Sequence, residues 1–229
     1  MINKSAILLC LFAAAASADV VSFDTVDRGY YYSSDSNDPS NQNYLTGQLD
    51  DTGFNSFFGF APLSGLNGPI VSATLSLFNP LGGYSSPNAS ELLTISEFTG
   101  NVTTLEAGGT VSGEYNALAS GTTLGTESVS ASDDGEFVTI TLNSAGIAFL
   151  NANDSSAFAF GGSLGTFSDA NDHYVFGASS ALSAADGDTY LTVTTAPAAV
   201  PEPSMAFFIL PLLVGFFVVR KFRSSPSQQ

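Results

Sequence analysis

Three residues stand in the order that acyl-transfer hydrolases use. Gly161-Gly-Ser163-Leu-Gly165 matches G-x-S-x-G, and Asp169 and His173 follow it, as nucleophile, orienting acid and base would in a Ser-Asp-His relay. That chemistry needs a tight turn between a parallel strand and a helix, which lifts the serine clear of its sheet. Here Ser163 runs into a polar stretch and then a second strand-like segment. The short spacing to His173 leaves no room for intervening α/β units. The match therefore reads as a glycine-rich strand exit followed by a surface histidine, with a hydrolase as the remote alternative. His173 is the only histidine and Cys10 the only cysteine, so a cluster of imidazole or thiolate metal ligands is excluded.

Oxygen ligands are the other candidates. Asp35, Asn37 and Asp38 fall in one loop, Asp169 and Asp172 in a second, and Asp186 and Asp188 in a third. Such spacings could converge on a hard cation such as Ca²⁺, but none matches the D-x-[DN]-x-[DN]-G loop. The plainer reading is a solvated acidic surface that keeps the protein soluble. Tyr30, Tyr31 and Tyr32 beside an Asn/Asp-rich stretch offer a third possibility, stacking on a sugar while amides and carboxylates bond its hydroxyls. Tyrosines are equally at home in strand pairs. No catalytic, cofactor or metal residue is assigned, and the body is expected to be non-enzymatic.

The elements that must carry these residues are strands. Val71, Ala73, Leu75 and Leu77 alternate with Ser72, Thr74 and Ser76; Val138, Ile140 and Leu142 alternate with Thr139 and Thr141; Leu191 and Val193 alternate with Thr192 and Thr194. Period-2 alternation marks half-buried strands. Further strands are expected at Val20 to Phe23, Asn43 to Leu49, Phe54 to Phe60, Leu92 to Phe98, Ala157 to Phe160 and His173 to Phe176. The stretches Tyr30 to Asn43, Gly82 to Ser90 and Gly100 to Asp134 read as loops, the last with a hairpin around Thr110 to Tyr115. One short helix is expected at Ser144 to Asn151, turning Ile147, Phe149 and Leu150 inward. Nine or so strands of this kind imply an all-β fold of two antiparallel sheets packed face to face, a β-sandwich.

Charge narrows the partners. The chain has 229 residues with 21 acidic and 5 basic ones. Lys4, Arg220, Lys221 and Arg223 sit at the ends, so between Asp19 and Ala199 only Arg28 opposes the acids. A polyphosphate-binding surface cannot be built from one arginine, which excludes nucleic acid.

The two ends read as addresses. Lys4, the apolar run from Ala6 and the close on Ala16-Ser17-Ala18 form a signal peptide, residues 1–18, cut by signal peptidase after Ala18. Its removal leaves a chain without cysteine. At the other end a Pro-rich linker, residues 196–204, leads into the apolar run Met205 to Val219. At about 1.5 Å per residue this run covers roughly 22 Å, short against a hydrocarbon core of about 30 Å. Arg220, Lys221 and Arg223 act as the stop-transfer cluster, which puts the single transmembrane helix within residues 205–223, the acidic body of residues 19–195 outside, and residues 224–229 in the cytoplasm.

In this order, signal peptide, polar body, Val200-Pro201-Glu202-Pro203-Ser204, apolar helix and basic cluster, the chain resembles the PEP-CTERM proteins of bacteria. The stretch VTITLNSAGIAFLNAN followed by FAFGGSL also resembles a segment common in the bodies of such proteins, and this resemblance implies a jelly-roll-like form of the sandwich. The resemblance implies a membrane-embedded exosortase that recognises residues 200–223, cuts near Pro-Glu-Pro, and releases the body or passes it to a surface acceptor. It implies a surface or extracellular-matrix component, membrane-anchored before processing. The alternatives are a carbohydrate-binding module delivered to the exopolysaccharide and, for the tail, a plain membrane anchor whose VPEP is only linker.

Overall fold

A computed structural model describes residues 17–177 and 187–197. The chain opens with β1 (Val20–Asp24), β2 (Asp27–Tyr32), β3 (Ser36–Asn37), β4 (Thr46–Leu49) and β5 (Thr52–Phe60), then β6 (Ile70–Asn79) and β7 (Glu91–Glu97). Next come α1 (Val102–Ala107), β8 (Gly109–Thr110), α2 (Glu114–Ser120), β9 (Thr123–Val129) and β10 (Glu136–Thr141). The last elements are α3 (Ser144–Asn153), β11 (Phe158–Ser163), β12 (His173–Val175) and β13 (Thr189–Thr195). Among the described residues no helix is long and apolar enough to cross a membrane.

The architecture is the antiparallel β-sandwich that the alternation implies. One sheet has the order β1-β13-β6-β10; the other runs β12-β4-β5-β11-β7-β9, with β2 paired to β5. Between them Phe58, Phe60, Phe158 and Phe160 from the larger sheet meet Leu75, Leu77, Ile140, Leu191 and Val193 from the smaller. Removing these side chains from water, at roughly 25 cal/mol per Å² of apolar surface, is the main force holding the sheets together. The small sheet keeps a hydroxyl-rich outer face, where Ser22 bonds Thr192 at 2.9 Å.

Several expectations are corrected. The apolar face of β6 is Ile70, Ala73, Leu75 and Leu77, whereas Val71 is 55% exposed. A bulge causes this: Thr195 pairs with Ile70 but Thr194 with Ser72, so Val71 is the extra residue and the alternation changes phase there. The stretch read as a loop from Tyr30 holds the end of β2 and all of β3. The stretch from Gly100 holds α1, β8, α2 and β9; no hairpin forms at Thr110 to Tyr115, because β8 pairs instead with β3 and α2 begins at Glu114. There are thus three described α-helices rather than one.

The two extra helices explain why β11 is buried along its whole length. Leu105 of α1 and Leu118 of α2 pack with Tyr31, Phe57, Phe98 and Ala159 into a second apolar cluster, on the outer face of the larger sheet. Glycine makes this possible at Gly161, where a Cβ would stand 2.0 Å from the Leu118 carbonyl oxygen. The backbone of α2 lies directly on the strand. α3 is the expected helix: the Asn143 side chain caps it by accepting from the amides of Ala145 at 2.8 Å and Gly146 at 3.0 Å.

Residues Ala18–Pro197 form one compact unit. Its first and last strands are neighbours, Val20 facing Thr194, and the Thr195 amide donates to the Asp19 carbonyl at 2.9 Å.

Candidate functional site

The motif residues separate in the fold. Ser163 is buried at the end of β11, opposite Thr94, and no hydrogen bond joins it to His173 or Asp169. Gly161, two residues before it, serves α2 packing. This removes the structural meaning of G-x-S-x-G, since Ser163 lies within an antiparallel sheet instead of on a strand-to-helix elbow.

His173 is not the surface residue its polar neighbours suggested. It is 3% exposed, because β12 tucks it beneath the loop that precedes it. Its Nδ1 lies 2.9 Å from Glu91 Oε1 and its Nε2 lies 2.8 Å from Asp169 Oδ1. The Phe167 ring stacks on the imidazole at 4.1 Å, nearly parallel. Glu91 is itself held by Ser86 and by Asn88 Nδ2 at 2.9 Å. Burial pulls the imidazole down, but its bonds to Glu91 and Asp169 outweigh this and hold it above its ordinary value. Burial likewise pushes Glu91 up, and hydrogen bonds from Ser86, His173 and Asn88 reverse the sign and leave it lowered. Asp169 is lowered by the Asn171 side chain first and His173 second. With both ring nitrogens facing carboxylates, the imidazole is a cationic tie between β7, β12 and the Asp169 loop. It has no nitrogen to offer a nucleophile.

The acidic loops have local employment. Asp35 has left-handed backbone, φ 61°, and its carboxylate accepts from the amides of Gly113 at 2.9 Å and Tyr115 at 3.1 Å. Asn37 donates to the Tyr30 carbonyl at 2.8 Å, and Asp38 accepts from the Ser40 amide and hydroxyl, which lower its pKa. Asp172 accepts from the Asp50 amide at 3.1 Å, and the Asp188 carbonyl accepts from Phe78. Asp186 lies outside the described residues. Among those described, no group of three or more His, Cys, Asp or Glu side chains could hold a metal ion.

The three tyrosines are divided by the strand's alternation. Tyr31 is fully buried, its hydroxyl donating to the Leu105 carbonyl at 3.0 Å. Tyr30 and Tyr32 point the other way, 5.3 Å apart, each packed against Phe54. Burial, then the Tyr32 hydroxyl, pushes Tyr30 up to about 12. Half-buried, they form an aromatic pack with Phe54 and each other, edge on and tilted, rather than a row of open ring faces.

Sequence reasoning missed two features. Arg28 is fully buried; its Nε donates to the Gln42 carbonyl at 3.0 Å, Nη1 to Thr189 Oγ1 at 2.9 Å, and the guanidinium lies 5.2 Å from the Tyr44 ring centre. The body therefore presents no lysine or arginine to solvent. No sequence signal marks this, because the pairing is between β2, β13 and a distant loop. The second feature is a cleft of about 340 Å³ between α2, the β4–β5 hairpin and residues 164–167. Gly53 and Asn55 form its floor, Tyr115 and Asn116 one wall, and Leu164 to Phe167 the other. Gly53 matters here, since a Cβ on it would meet the Tyr115 hydroxyl at 2.4 Å. Phe167 couples that second wall to the His173 tie.

The signal-peptide residue Ala16, the sorting motif Val200 to Ser204, the apolar run and Arg220, Lys221 and Arg223 lie outside the described residues; Ala18 is exposed just ahead of β1. No protein-family model and no curated protein matches the chain.

Proposed function

We propose that this is an exported bacterial surface or extracellular-matrix protein, non-enzymatic, sorted and processed by an exosortase through its PEP-CTERM-like tail. The observation that carries the reading is the ordered tail: Val200-Pro201-Glu202-Pro203-Ser204, fifteen apolar residues from Met205 to Val219, then Arg220, Lys221 and Arg223. Each proline fixes its own φ and disfavours helix in its predecessor, which holds an extended segment beside the membrane where an integral protease can bind it. The apolar run is short for permanent anchorage, and the basic cluster stops translocation.

The body supports the reading in two ways. The last described strand ends at Thr195, so cleavage near Pro203 takes none of the described strands from the sandwich. Its lone histidine is engaged on both nitrogens, and the chain left after signal cleavage has no thiol, which suits a structural part better than a catalyst.

The test is fractionation in a host that contains an exosortase. Wild type is expected to leave the membrane fraction and lose residues beyond about Pro203, while Glu202→Ala stays membrane-bound at full length. In a host without the enzyme both remain in the membrane. Identical fractionation of the two in the native host, with Gln229 still attached, would make VPEP a linker and the protein a simple single-span one.

A further inference from the structure

We propose that the cleft between α2 and the β4–β5 hairpin binds one neutral sugar ring, a site distinct from the tyrosine triplet and independent of how the chain is sorted. At about 340 Å³ it lies at the small end of the range for ligand pockets. That is room for a monosaccharide unit and little more.

Its chemistry selects the occupant. The wall and floor carry carboxamides from Gln48, Asn55 and Asn116, the Tyr115 phenol and the Asp51 carboxylate. Amides and phenols both donate and accept, and a carboxylate takes two hydrogen bonds side by side, as a vicinal diol supplies them. No lysine or arginine lies anywhere on the surface of the body, so phosphate, sulfate and uronate find nothing to neutralise them and Asp51 repels them. Leu164 and Phe167 on the opposite wall suit the C–H face of a pyranose.

Two details show that the cleft has polar capacity left over. Asn55 is 5% exposed; its Nδ2 donates to the Tyr115 carbonyl at 2.8 Å, and its Oδ1 takes no hydrogen bond among the described residues. That oxygen is left to accept from a hydroxyl group placed in the cleft, which Asn55 lines. Asp51 is the second. It follows Asp50 in a two-residue hairpin loop closed by Leu49 and Thr52, with φ of 49° and 61° at the two aspartates. Such loops favour Asn-Gly or Asp-Gly, since glycine enters the left-handed region without strain. The chain places a carboxylate at the cleft mouth where glycine would be easier. Burial raises the Tyr115 hydroxyl above its ordinary value, so it stays a neutral donor across the physiological range.

The Asp51 strain supplies a variant that separates binding from folding. With the full chain in phospholipid vesicles, saturation-transfer NMR is read on the methyl glycosides of glucose, galactose and mannose. One or more should receive saturation with Kd on the order of 1–10 mM, as expected for a single ring with few anchors. Asp51→Gly should weaken that binding about tenfold while its thermal midpoint stays equal to or above wild type; Asn116→Ala, on the exposed side of α2, should weaken it without unfolding. Dextran and galactan gels form a second arm. Retention that the free glycoside competes away identifies a polysaccharide unit as the ligand, and glycoside binding without retention identifies a free sugar. No saturation transfer to any of the three glycosides, or Asp51→Gly binding as well as wild type, overturns the proposal.

Discussion

Replacing His173 with glutamine tests the tie at the edge of the larger sheet. Glutamine keeps a hydrogen-bonding amide but removes the positive charge and the ring. The Glu91 side chain is 9% exposed and loses a charged partner at 2.9 Å, while Ser86 and Asn88 still bond it. A hydrogen bond to a charged group contributes about 1.5–3 kcal/mol, and a stacked aromatic pair of the His173–Phe167 kind adds about 0.5–1.5 kcal/mol. The half-exposed Asp169 adds little. The surviving neutral bonds recover part of this, so we expect a loss of about 2–3 kcal/mol near pH 6. For a body of this size that is roughly 4–12 °C in the thermal midpoint. The pH dependence has a defined sign. His173 is raised from 6.5, so its contribution is full below 6.5 and fades as pH rises through the raised folded value. Glu91 is lowered from 4.5, so its contribution is full above 4.5 and fades as pH falls through the lowered value. Calorimetry across pH should therefore show the widest gap between wild type and His173→Gln from about 4.5 to 6.5, closing on the alkaline side. Because the chain has one histidine, a single Hε1 resonance reports its titration directly. A gap that does not change between pH 6 and pH 10, or a midpoint at or below 6.5 for that resonance, would refute the ionic account.

Four further outcomes are expected. Gly161→Ala forces a Cβ to within 2.0 Å of the Leu118 oxygen; it should cost about 1–3 kcal/mol and speed hydrogen exchange of the α2 amides before those of β5. Arg28→Lys cannot reproduce the bonds to Gln42 and Thr189 together with the contact on Tyr44; it should lower the thermal midpoint, with a loss of about 2 kcal/mol or more read by denaturant unfolding. Leu75→Asp places an unpaired charge between the sheets and should abolish the cooperative transition in near-UV circular dichroism. Mass analysis of the exported protein should begin at Asp19, and a secreted product retaining Met1 would exclude cleavage after Ala18.

How much of this was legible in the sequence follows from the range of each interaction. The strands of the small sheet were legible because one face is wet: hydroxyls alternate with aliphatics along Leu191 to Thr194 and Val138 to Thr141, and pattern and burial coincide. The larger sheet is covered by α1 and α2 as well as by its partner sheet, so Phe57 and Phe58 are both buried and alternation carries less information. β2 and β9 were missed for related reasons. β2 places Tyr30 and Tyr32 on one face and Tyr31 on the other, but three identical residues in a row show no period. β9 is Thr-Leu-Gly-Thr-Glu-Ser-Val, whose Gly125 and polar residues imitate a turn. Val71 shows the limit of the rule even where it works, since a single extra residue in the β6–β13 pairing reverses the phase that local sequence suggests.

The candidate sites divide along the same line. G-x-S-x-G, the aspartate loops and the tyrosine triplet are all sequence-local patterns, and in the fold each is consumed by local packing: Gly161 under α2, Asp35 on the α2 amides, Tyr31 under α1. The remaining chemistry is assembled from afar. His173 meets Glu91 from a strand 82 positions away, Asn55 meets the Tyr115 carbonyl across 60, and Phe167 on the cleft lining stacks on the His173 ring. This connects the two halves of the molecule's chemistry in a testable way. If the imidazolium tie fixes that wall, His173→Gln should weaken sugar binding together with stability, and the wild-type protein should lose affinity over the same alkaline range in which the His173 resonance titrates. Affinity that holds constant while the histidine loses its proton would mean that the Phe167 wall stands on its own packing and that the tie serves the sheet edge alone.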